Sequence, residues 1–153
     1  MATYVFIDMD DTLYLGENEV NDRVAQFMAQ EHEAGKTIAI VSGRQISRMQ
    51  ETRDWLQKHG LFEYVDEIHL SDFPVGPNAS REFKMYKLKL IESRGNRVAI
   101  AVENDAETRA AYRALGVESV APSRVPLVDG GYVDPENEQD AEEGENGDDN
   151  GNR

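Results

Sequence analysis

Apolar residues are concentrated in five short runs along the chain, and longer segments with a different spacing lie between them. The runs are residues 4–7, 37–41, 64–70, 97–102 and 117–121. The first, second and fourth runs are rich in Val and Ile, which is typical of strands buried on both faces of a sheet. The third and fifth are more mixed in composition, which favours strands nearer the edges of the sheet.

Four intervening segments have the apolar spacing of amphipathic helices. They run from Asn21 to Gly35, from Ile46 to Gly60, from Ser80 to Gly95 and from Ala106 to Gly116. Asn21 and Ser80 are suited to cap helix N-termini, and each glycine is suited to end a helix. The expected apolar faces comprise Val24, Phe27 and Met28, then Ile46, Met49 and Leu56, then Phe83, Tyr86, Leu90 and Ile91.

The regular alternation of short strands and helices along the sequence predicts a parallel sheet with helices on both faces. Right-handed crossovers then give a doubly wound, Rossmann-like α/β domain, which we expect at residues 1–133. Pro122 and Pro126 bracket a connector, and residues 127–133 have the pattern of a short edge hairpin. Residues 134–153 are mainly Asp, Glu, Asn and Gly without an apolar period, which predicts a disordered acidic tail.

The charge is strongly acidic and unevenly placed. The chain has 153 residues, with 30 acidic and 16 basic side chains, and a formal charge of −14. Four Asp, five Glu and one Arg put a net −8 into residues 134–153 alone. This balance argues against a general nucleic-acid coat or an anionic-membrane binder, because both need clustered positive charge. The absence of cysteine excludes disulfides, thiolate metal sites and a cysteine nucleophile.

The sequence shows no membrane or export signal. Its longest uninterrupted apolar run, residues 98–102, is far too short to cross a membrane. No basic region followed by a long apolar stretch opens the chain, so no secretory signal is expected. We therefore expect a soluble, cytoplasmic protein without a membrane partner. The sequence leaves the oligomeric state open.

Carboxylates are crowded where the first predicted strand ends, in the sequence Asp8-Met9-Asp10-Asp11-Thr12. In an open parallel sheet, ligands bind at the carboxyl ends of the strands, where Asp8 and Asp10 are expected to project. Crowded carboxylates repel each other unless a positive group lies among them. A divalent cation meets this need, and oxygen ligands without Cys or a suitably placed His favour Mg²⁺ over zinc.

The residues from Phe6 to Leu13 resemble the first motif of the haloacid dehalogenase (HAD) superfamily in its phosphatase form. The family pattern is Asp-x-Asp-x-Thr after an apolar strand, and Asp8, Asp10 and Thr12 match it. The resemblance implies that Asp8 is a nucleophile that forms an aspartyl-phosphate, while Asp10 acts as general acid and then as general base. It also implies a metal bound by the Asp8 side chain and the Asp10 backbone carbonyl, with Thr12 orienting the loop.

Two further motifs of the superfamily have counterparts here. The family places a Ser or Thr at the end of the second strand, where this chain has Ser42-Gly43-Arg44. The Ser42 hydroxyl and the amides that follow can hold a phosphoryl oxygen, and Arg44 either binds phosphate or stays a solvated surface residue. The third family motif is a lysine that neutralises charge near the phosphate, for which we favour Lys84, both as a catalytic and as a phosphate-binding residue. The alternatives are Lys87 and Lys89.

The fourth motif departs from the family pattern. The superfamily has two acidic residues near Mg²⁺ after the fourth strand, whereas here Glu103 takes the first place and Asn104 the second. Asn104 brings no charge, but its side-chain oxygen can still coordinate a metal. The alternatives are that Asp105 or Glu107 supplies the missing acid, or that these carboxylates only stabilise the N-terminus of the next helix.

The spacing leaves little room for the cap domain that many HAD enzymes carry. Only 24 residues, 13–36, separate the first motif from the second strand, and residues 71–82 alone connect the third strand to the lysine helix. We therefore expect a capless site or one with a minimal flap. Such an open site favours a large substrate that itself excludes water.

Several stretches further resemble the phosphatase domain of phage polynucleotide kinase-phosphatase, which removes 3′-phosphates from DNA or RNA. They are residues 41–44, Trp55, Lys84, residues 101–104 and residues 111–117. The resemblance implies a phage-encoded enzyme that meets nucleic-acid 3′ ends. An enzyme of this kind contacts few phosphates and needs no strongly basic body. Candidate local positive groups are Arg44, Arg48, Arg53, Arg81 and Lys84.

Three functions are compatible with the sequence. The first is a Mg²⁺-dependent phosphomonoesterase that acts on polynucleotide 3′-phosphates. The second is the same chemistry on small molecules such as nucleotides or sugar phosphates. The third is a catalytically degenerate binding module, against which the joint presence of Asp8, Asp10, Thr12 and Ser42 argues.

Overall fold

The computed structural model describes residues 1–128. The predicted hairpin at 127–133 lies largely outside these residues, and the predicted tail at 134–153 lies wholly outside them. The strands are β1 (Thr3–Ile7), β2 (Tyr14–Gly16), β3 (Glu19–Val20), β4 (Thr37–Gln45), β5 (Glu67–Ser71), β6 (Arg97–Val102) and β7 (Glu118–Val120). The helices are α1 (Asp22–Glu33), α2 (Met49–Lys58), α3 (Ala79–Ser93) and α4 (Ala106–Ala114).

The main sheet has five strands in the order β5-β4-β1-β6-β7. Every neighbouring pair is parallel, and β1 lies at the centre. The two strands predicted from runs of mixed composition, β5 and β7, occupy the two edges. The predicted doubly wound, Rossmann-like α/β fold is therefore confirmed.

Side-chain alternation along β1 divides the core into two layers. Val5 and Ile7 pack on the side that α1 and α2 cover. Tyr4 and Phe6 pack on the opposite side, which α3 and α4 cover. All four side chains are buried, as expected for a central strand with helices on both faces.

Helix α3 differs from its predicted start and face. It begins at Ala79, one residue before the predicted cap Ser80. The predicted face residue Tyr86 is 48% exposed. The residues that α3 buries are Phe83, Lys84, Leu88 and Ile91. The face is rotated because a lysine takes one of the buried positions, next to carboxylates at the end of the sheet.

Helix α2 begins later than its apolar spacing predicts. Ile46 belongs to a short 3₁₀ helix, Ile46–Arg48, and is 56% exposed, so it is not part of the buried face. The residues that α2 buries are Thr52, Trp55 and Leu56. The difference arises because β4 continues to Gln45, four residues beyond the predicted end of the strand.

Strands β2 and β3 form a small antiparallel flap between β1 and α1. The flap is held against α2, because the Trp55 indole nitrogen donates to the carbonyl oxygens of Gly16 at 3.0 Å and Glu17 at 3.1 Å. Lys58 Nζ also donates to Asn18 Oδ1 at 2.8 Å.

Across residues 1–128 the chain inserts no further domain, which agrees with the predicted minimal flap. None of the helices described there is long and apolar enough to cross a membrane.

Candidate active site

The carboxyl ends of β1, β4 and β6 meet at an open cleft with a volume of about 690 Å³. Residues at or just after these strand ends line it, together with residues from the first two turns of α3 and the first turn of α4. The predicted site residues in its lining are Asp8, Asp10, Ser42, Gly43, Arg44, Lys84, Glu103 and Asn104. Thr12, the remaining predicted site residue, is fully buried beside Asp8. The topology thus brings four separate sequence motifs to one place.

Lys84 bridges two carboxylates in the floor of the cleft. Its Nζ donates to Asp8 Oδ1 at 3.0 Å and to Glu103 Oε1 at 2.6 Å, and all three residues are buried. The two alternative lysines lie elsewhere. The Lys87 amino group lies over aromatic rings of its own helix, and Lys89 is exposed. Among the three candidates, only Lys84 contacts Asp8.

Burial controls the electrostatics of this cluster. It raises the pKa of the Asp8 carboxyl above its ordinary value, although Lys84 opposes the shift. Burial and the neighbouring Asp8 raise the pKa of Glu103 to about 7. Burial lowers the pKa of Lys84, but Asp8 and Glu103 outweigh this effect and raise it above its ordinary value. Two buried carboxylates share one ammonium group, which leaves an excess of negative charge in the floor of the cleft.

Two polar side chains hold the second oxygen of Asp8. Thr12 Oγ1 donates to Asp8 Oδ2 at 3.2 Å. With its amide nitrogen facing the carboxylates, Asn104 donates to Asp8 Oδ2 at 2.8 Å and to Glu103 Oε2 at 3.2 Å. The acidic residue that the family pattern places at position 104 has no hydrogen-bond donor when it is ionised, so it could not make these two hydrogen bonds. The departure from the family pattern at Asn104 therefore stabilises the carboxylates of the cluster.

The alternative acids after β6 have partners of their own. Asp105 caps α4, and its Oδ2 accepts from the backbone nitrogen of Thr108 at 2.9 Å. Glu107 Oε1 lies 3.8 Å from Arg81 Nη1 of α3. The backbone nitrogen of Asp105 donates to Glu103 Oε2 at 3.0 Å, so the loop after β6 also fixes Glu103.

Arg44 is buried and binds Asp10. Its Nε donates to Asp10 Oδ2 and its Nη2 to Asp10 Oδ1, each at 2.9 Å. The Arg44 side chain is 1% exposed, whereas that of Asp10 is 47% exposed. This arrangement differs from both expectations for Arg44, a phosphate ligand or a solvated surface residue. The reason is that the Asp10 carboxylate lies within reach of both arms of the guanidinium group.

Ser42 and Gly43 bring β4 close to the start of α3. Ser42 is buried, and its Oγ accepts from the backbone nitrogen of Arg44 at 3.1 Å. A Cβ atom on Gly43 would lie 2.3 Å from Ser80 Oγ and 2.6 Å from Ser80 Cβ, so a larger residue does not fit. This close approach brings the N-terminus of α3, the positive end of its dipole, to the same cleft as Ser42.

Two of the predicted basic residues line the cleft with accessible side chains, Arg48 and Arg81. Arg48 forms an ion pair with Glu51, three residues further along in α2. Arg53 instead lies over the ring of Phe62, in a separate small pocket. The basic groups that can meet a ligand are therefore fewer than the sequence suggests.

The donor set at the strand ends suits a hard divalent cation. Asp8 carries carboxylate oxygens and Asp10 carries a backbone carbonyl, and Mg²⁺ prefers oxygen ligands. The Asn104 amide presents its nitrogen to the carboxylates, so its oxygen faces away from Asp8. A cation would also balance the excess negative charge of the cluster. Glu103, the other predicted carboxylate ligand, accepts hydrogen bonds through both oxygens, as Asp8 does. In the described part of the chain, no group of three or more His, Asp or Glu side chains forms a ready-made metal site.

Sequence reasoning missed one buried supporting residue, Arg109 of α4. Its Nη1 donates to the backbone carbonyl of Glu103 at 3.0 Å and to that of Asn104 at 2.9 Å. Arg109 thereby fixes the loop that carries both site residues. The sequence indicates this role only indirectly, because Arg109 lies on the same face of α4 as Thr108 and Tyr112, which are also buried.

Comparison with known protein families supports the same grouping of motifs. The model of the haloacid dehalogenase-like hydrolases matches residues 5–64, which contain Asp8, Asp10, Thr12 and Ser42. Residues 5–64 therefore resemble the haloacid dehalogenase-like hydrolases. The predicted resemblance to this superfamily is confirmed, and the family supports phosphatase activity in general. No curated protein matches the sequence.

Several solved structures share this fold. A chain of the Pnkp1/Rnl/Hen1 RNA repair complex aligns with a TM-score of 0.67 at 19% identity, over 78% of this chain and 42% of that one. An uncharacterized protein from Listeria monocytogenes serotype 4b aligns over 88% of both chains, with a TM-score of 0.56 and 20% identity. A haloacid dehalogenase-like family hydrolase from Streptococcus pneumoniae aligns over 92% of this chain and 90% of its own, with a TM-score of 0.50 and 11% identity. This chain spans less than half the length of the repair-complex chain, and at these identities the likeness shows the fold alone.

Proposed function

We propose that this protein is a Mg²⁺-dependent phosphomonoesterase that acts through an aspartyl-phosphate on Asp8. The observation that carries the proposal is the contact of buried Asp8 with Lys84, in a cleft that also holds Asp10. Covalent phosphoryl transfer needs a nucleophile, a cation beside it and a second carboxyl group for the proton. A binding module needs no such combination.

The proposed reaction has two halves. In the first, a carboxylate oxygen of Asp8 bonds to phosphorus while the bond from phosphorus to the leaving oxygen breaks, and Asp10 gives that oxygen a proton. In the second, Asp10 removes a proton from water, whose oxygen attacks phosphorus. The bond from phosphorus to Asp8 then breaks, inorganic phosphate leaves, and the Asp8 carboxylate is restored.

Groups around Asp8 neutralise the negative charge of the phosphate substrate. Lys84 offsets the negative charge of a phosphate that approaches Asp8. Ser42 and the N-terminus of α3 can hold phosphoryl oxygens. Mg²⁺, held by Asp8 and the Asp10 carbonyl, would supply Lewis-acid polarisation of the phosphoryl group.

We further propose that the substrate is the 3′-phosphate of a polynucleotide. The flap is small and held against α2, and the cleft is open, which favours a large substrate that excludes water itself. Arg48 and Arg81 line the cleft, where they can contact phosphates of a nucleic-acid strand. The presence of an RNA repair complex among the similar structures supports the same substrate class.

A comparison of substrates tests this proposal. Phosphate release is measured from an oligonucleotide with a 3′-phosphate, from its 5′-phosphorylated counterpart, from mononucleotides and from 4-nitrophenyl phosphate, each with Mg²⁺ and with chelator. We expect the highest kcat/KM for the 3′-phosphorylated oligonucleotide and no release in chelator. Faster turnover of mononucleotides would make the protein a small-molecule phosphatase. No release from any substrate would favour a binding module.

A further inference from the structure

We infer that Arg44 is a positioning residue that fixes Asp10 for proton transfer, an inference that rests on the proposed function. The two hydrogen bonds from Arg44 reach both oxygens of Asp10 at 2.9 Å. A bidentate pair fixes the orientation of the carboxylate plane as well as its position. Asp10 itself lies in the loop after β1, next to Asp11, whose φ is 61°.

Contacts from two other elements hold the Arg44 guanidinium in turn. Its Nη1 donates to Thr52 Oγ1 of α2 at 3.0 Å, and Thr52 Oγ1 donates to the carbonyl oxygen of Arg48 at 2.9 Å. The ring of Tyr14, in the flap, lies with its centroid 4.5 Å from the guanidinium carbon. Arg44 would lose these contacts if it turned toward a phosphate.

The exposure of the two partners separates their roles. The Arg44 side chain is 1% exposed, while the Asp10 side chain is 47% exposed and faces the cleft. A carboxylate oxygen that accepts one hydrogen bond keeps a second lone pair. Asp10 can therefore exchange a proton on its open side while Arg44 holds it from the protein side.

Substrates with different leaving groups test this role. The ratio kcat/KM reports phosphoryl transfer to Asp8, in which Asp10 protonates the leaving oxygen. An alkyl phosphate needs that proton, whereas 4-nitrophenyl phosphate has a stable leaving group and needs little help. We expect Arg44→Gln to lower kcat/KM about 100-fold for the alkyl phosphate and less than about 10-fold for 4-nitrophenyl phosphate. Asp10→Asn is expected to show the same dependence on the leaving group.

Further variants separate positioning from folding. The double variant Arg44→Gln with Asp10→Asn should be no slower than Asp10→Asn alone, because the two residues act as a unit. Arg44→Lys keeps the charge but not the planar fork, so it should show the same leaving-group dependence even where circular dichroism finds Arg44→Gln unfolded. Arg94→Gln removes an exposed arginine after the far end of α3 and serves as the matched control.

Three outcomes would overturn the inference. They are equal losses on both substrates, losses that add to those of Asp10→Asn, and unchanged kcat/KM in the Arg44 variants. A wild-type protein that hydrolyses no phosphate ester would instead contradict the proposed function, so the two failures are distinguishable.

Discussion

The central sheet carries a polar cluster at its carboxyl end and another at its β5 edge, and the two differ in burial. The cleft cluster consists of Asp8, Lys84 and Glu103. The edge cluster consists of Tyr4, Glu67 and His69. Every member of the cleft cluster is buried, whereas the Glu67 side chain is 35% exposed. Water can solvate the edge cluster, so only in the cleft cluster must the protein itself stabilise ionised groups.

The difference in burial gives the clusters different electrostatics. In the edge cluster, Tyr4 Oη donates to Glu67 at 2.6 Å, and burial together with Glu67 raises the pKa of Tyr4 to about 12, so the phenol stays neutral. In the cleft cluster, burial and Asp8 raise the pKa of Glu103 to about 7. Strongly shifted carboxyl groups with a specific charge partner in a cleft are typical of functional sites. The difference therefore supports the proposed catalytic role of the cleft cluster and a structural role of the edge cluster.

The largest effect is expected from Asp8→Asn. The amide is a poor nucleophile, so turnover of 4-nitrophenyl phosphate should fall to the background. Glu67→Gln makes the matching change in the edge cluster and should keep turnover near that of the wild type. Steady-state kinetics with both variants check the prediction, and substantial turnover by Asp8→Asn would refute the role of Asp8.

Removal of the Lys84 ammonium group from the cleft cluster should lower both activity and stability. Lys84→Met leaves two buried carboxylates without their partner, so we expect the free energy of unfolding to fall by about 3–5 kcal/mol. Turnover should fall by about 100-fold or more, because the charge of the phosphate is no longer offset. Urea denaturation and kinetics measure the two effects. Lys87→Met is the control on the same helix, and an equal loss of stability there would contradict the prediction.

The pH dependence of stability should distinguish the clusters. Glu103 holds its proton more tightly in the folded protein, with a pKa of about 7, than in the unfolded chain, with an ordinary value of 4.5. Its contribution to stability is present below pH 4.5 and is lost as the pH rises through about 7, a loss of about 3 kcal/mol. Denaturation in chelator across this range should show the decline in the wild type and in Glu67→Gln. The same decline in Glu103→Gln would exclude Glu103 as its source.

The smallest effect is expected in the edge cluster. Tyr4→Phe removes one hydrogen bond to a partly exposed carboxylate, so the free energy of unfolding should fall by about 1 kcal/mol. The kcat/KM for 4-nitrophenyl phosphate should stay close to that of the wild type, because Tyr4 is remote from the cleft. A large loss of activity without unfolding would show that the edge cluster also takes part in function.

The fold could be predicted because its pattern is local. Apolar runs mark β1, β4 and β6, and Asn21 caps α1 as expected, its side chain accepting from the backbone nitrogen of Val24. The edge positions of β5 and β7 follow from their mixed composition. The face of α3 could not be predicted in the same way. A buried Lys84 makes sense only beside Asp8, from which it is separated by 76 positions.

The site could be predicted as a set of positions, but not as a set of contacts. Parallel strand ends bring Asp8, Ser42 and Glu103 to one cleft, which follows from topology alone. The partner of Arg44 depends on the path of the loop after β1, and the amide orientation of Asn104 depends on two neighbouring carboxylates. Such contacts are decided by packing between distant segments.

The central claim is that Asp8 carries the phosphoryl group during turnover. The most direct test uses Asp10→Asn with 4-nitrophenyl phosphate and Mg²⁺, because this variant lacks the base for the second half of the reaction. The mixture is quenched in acid, digested and examined by mass spectrometry. The account predicts one added phosphoryl group on the peptide that contains Asp8, and none when Asp8→Asn is introduced as well. Phosphate release by the wild type, with no phosphoryl group on Asp8 in the variant, would contradict it.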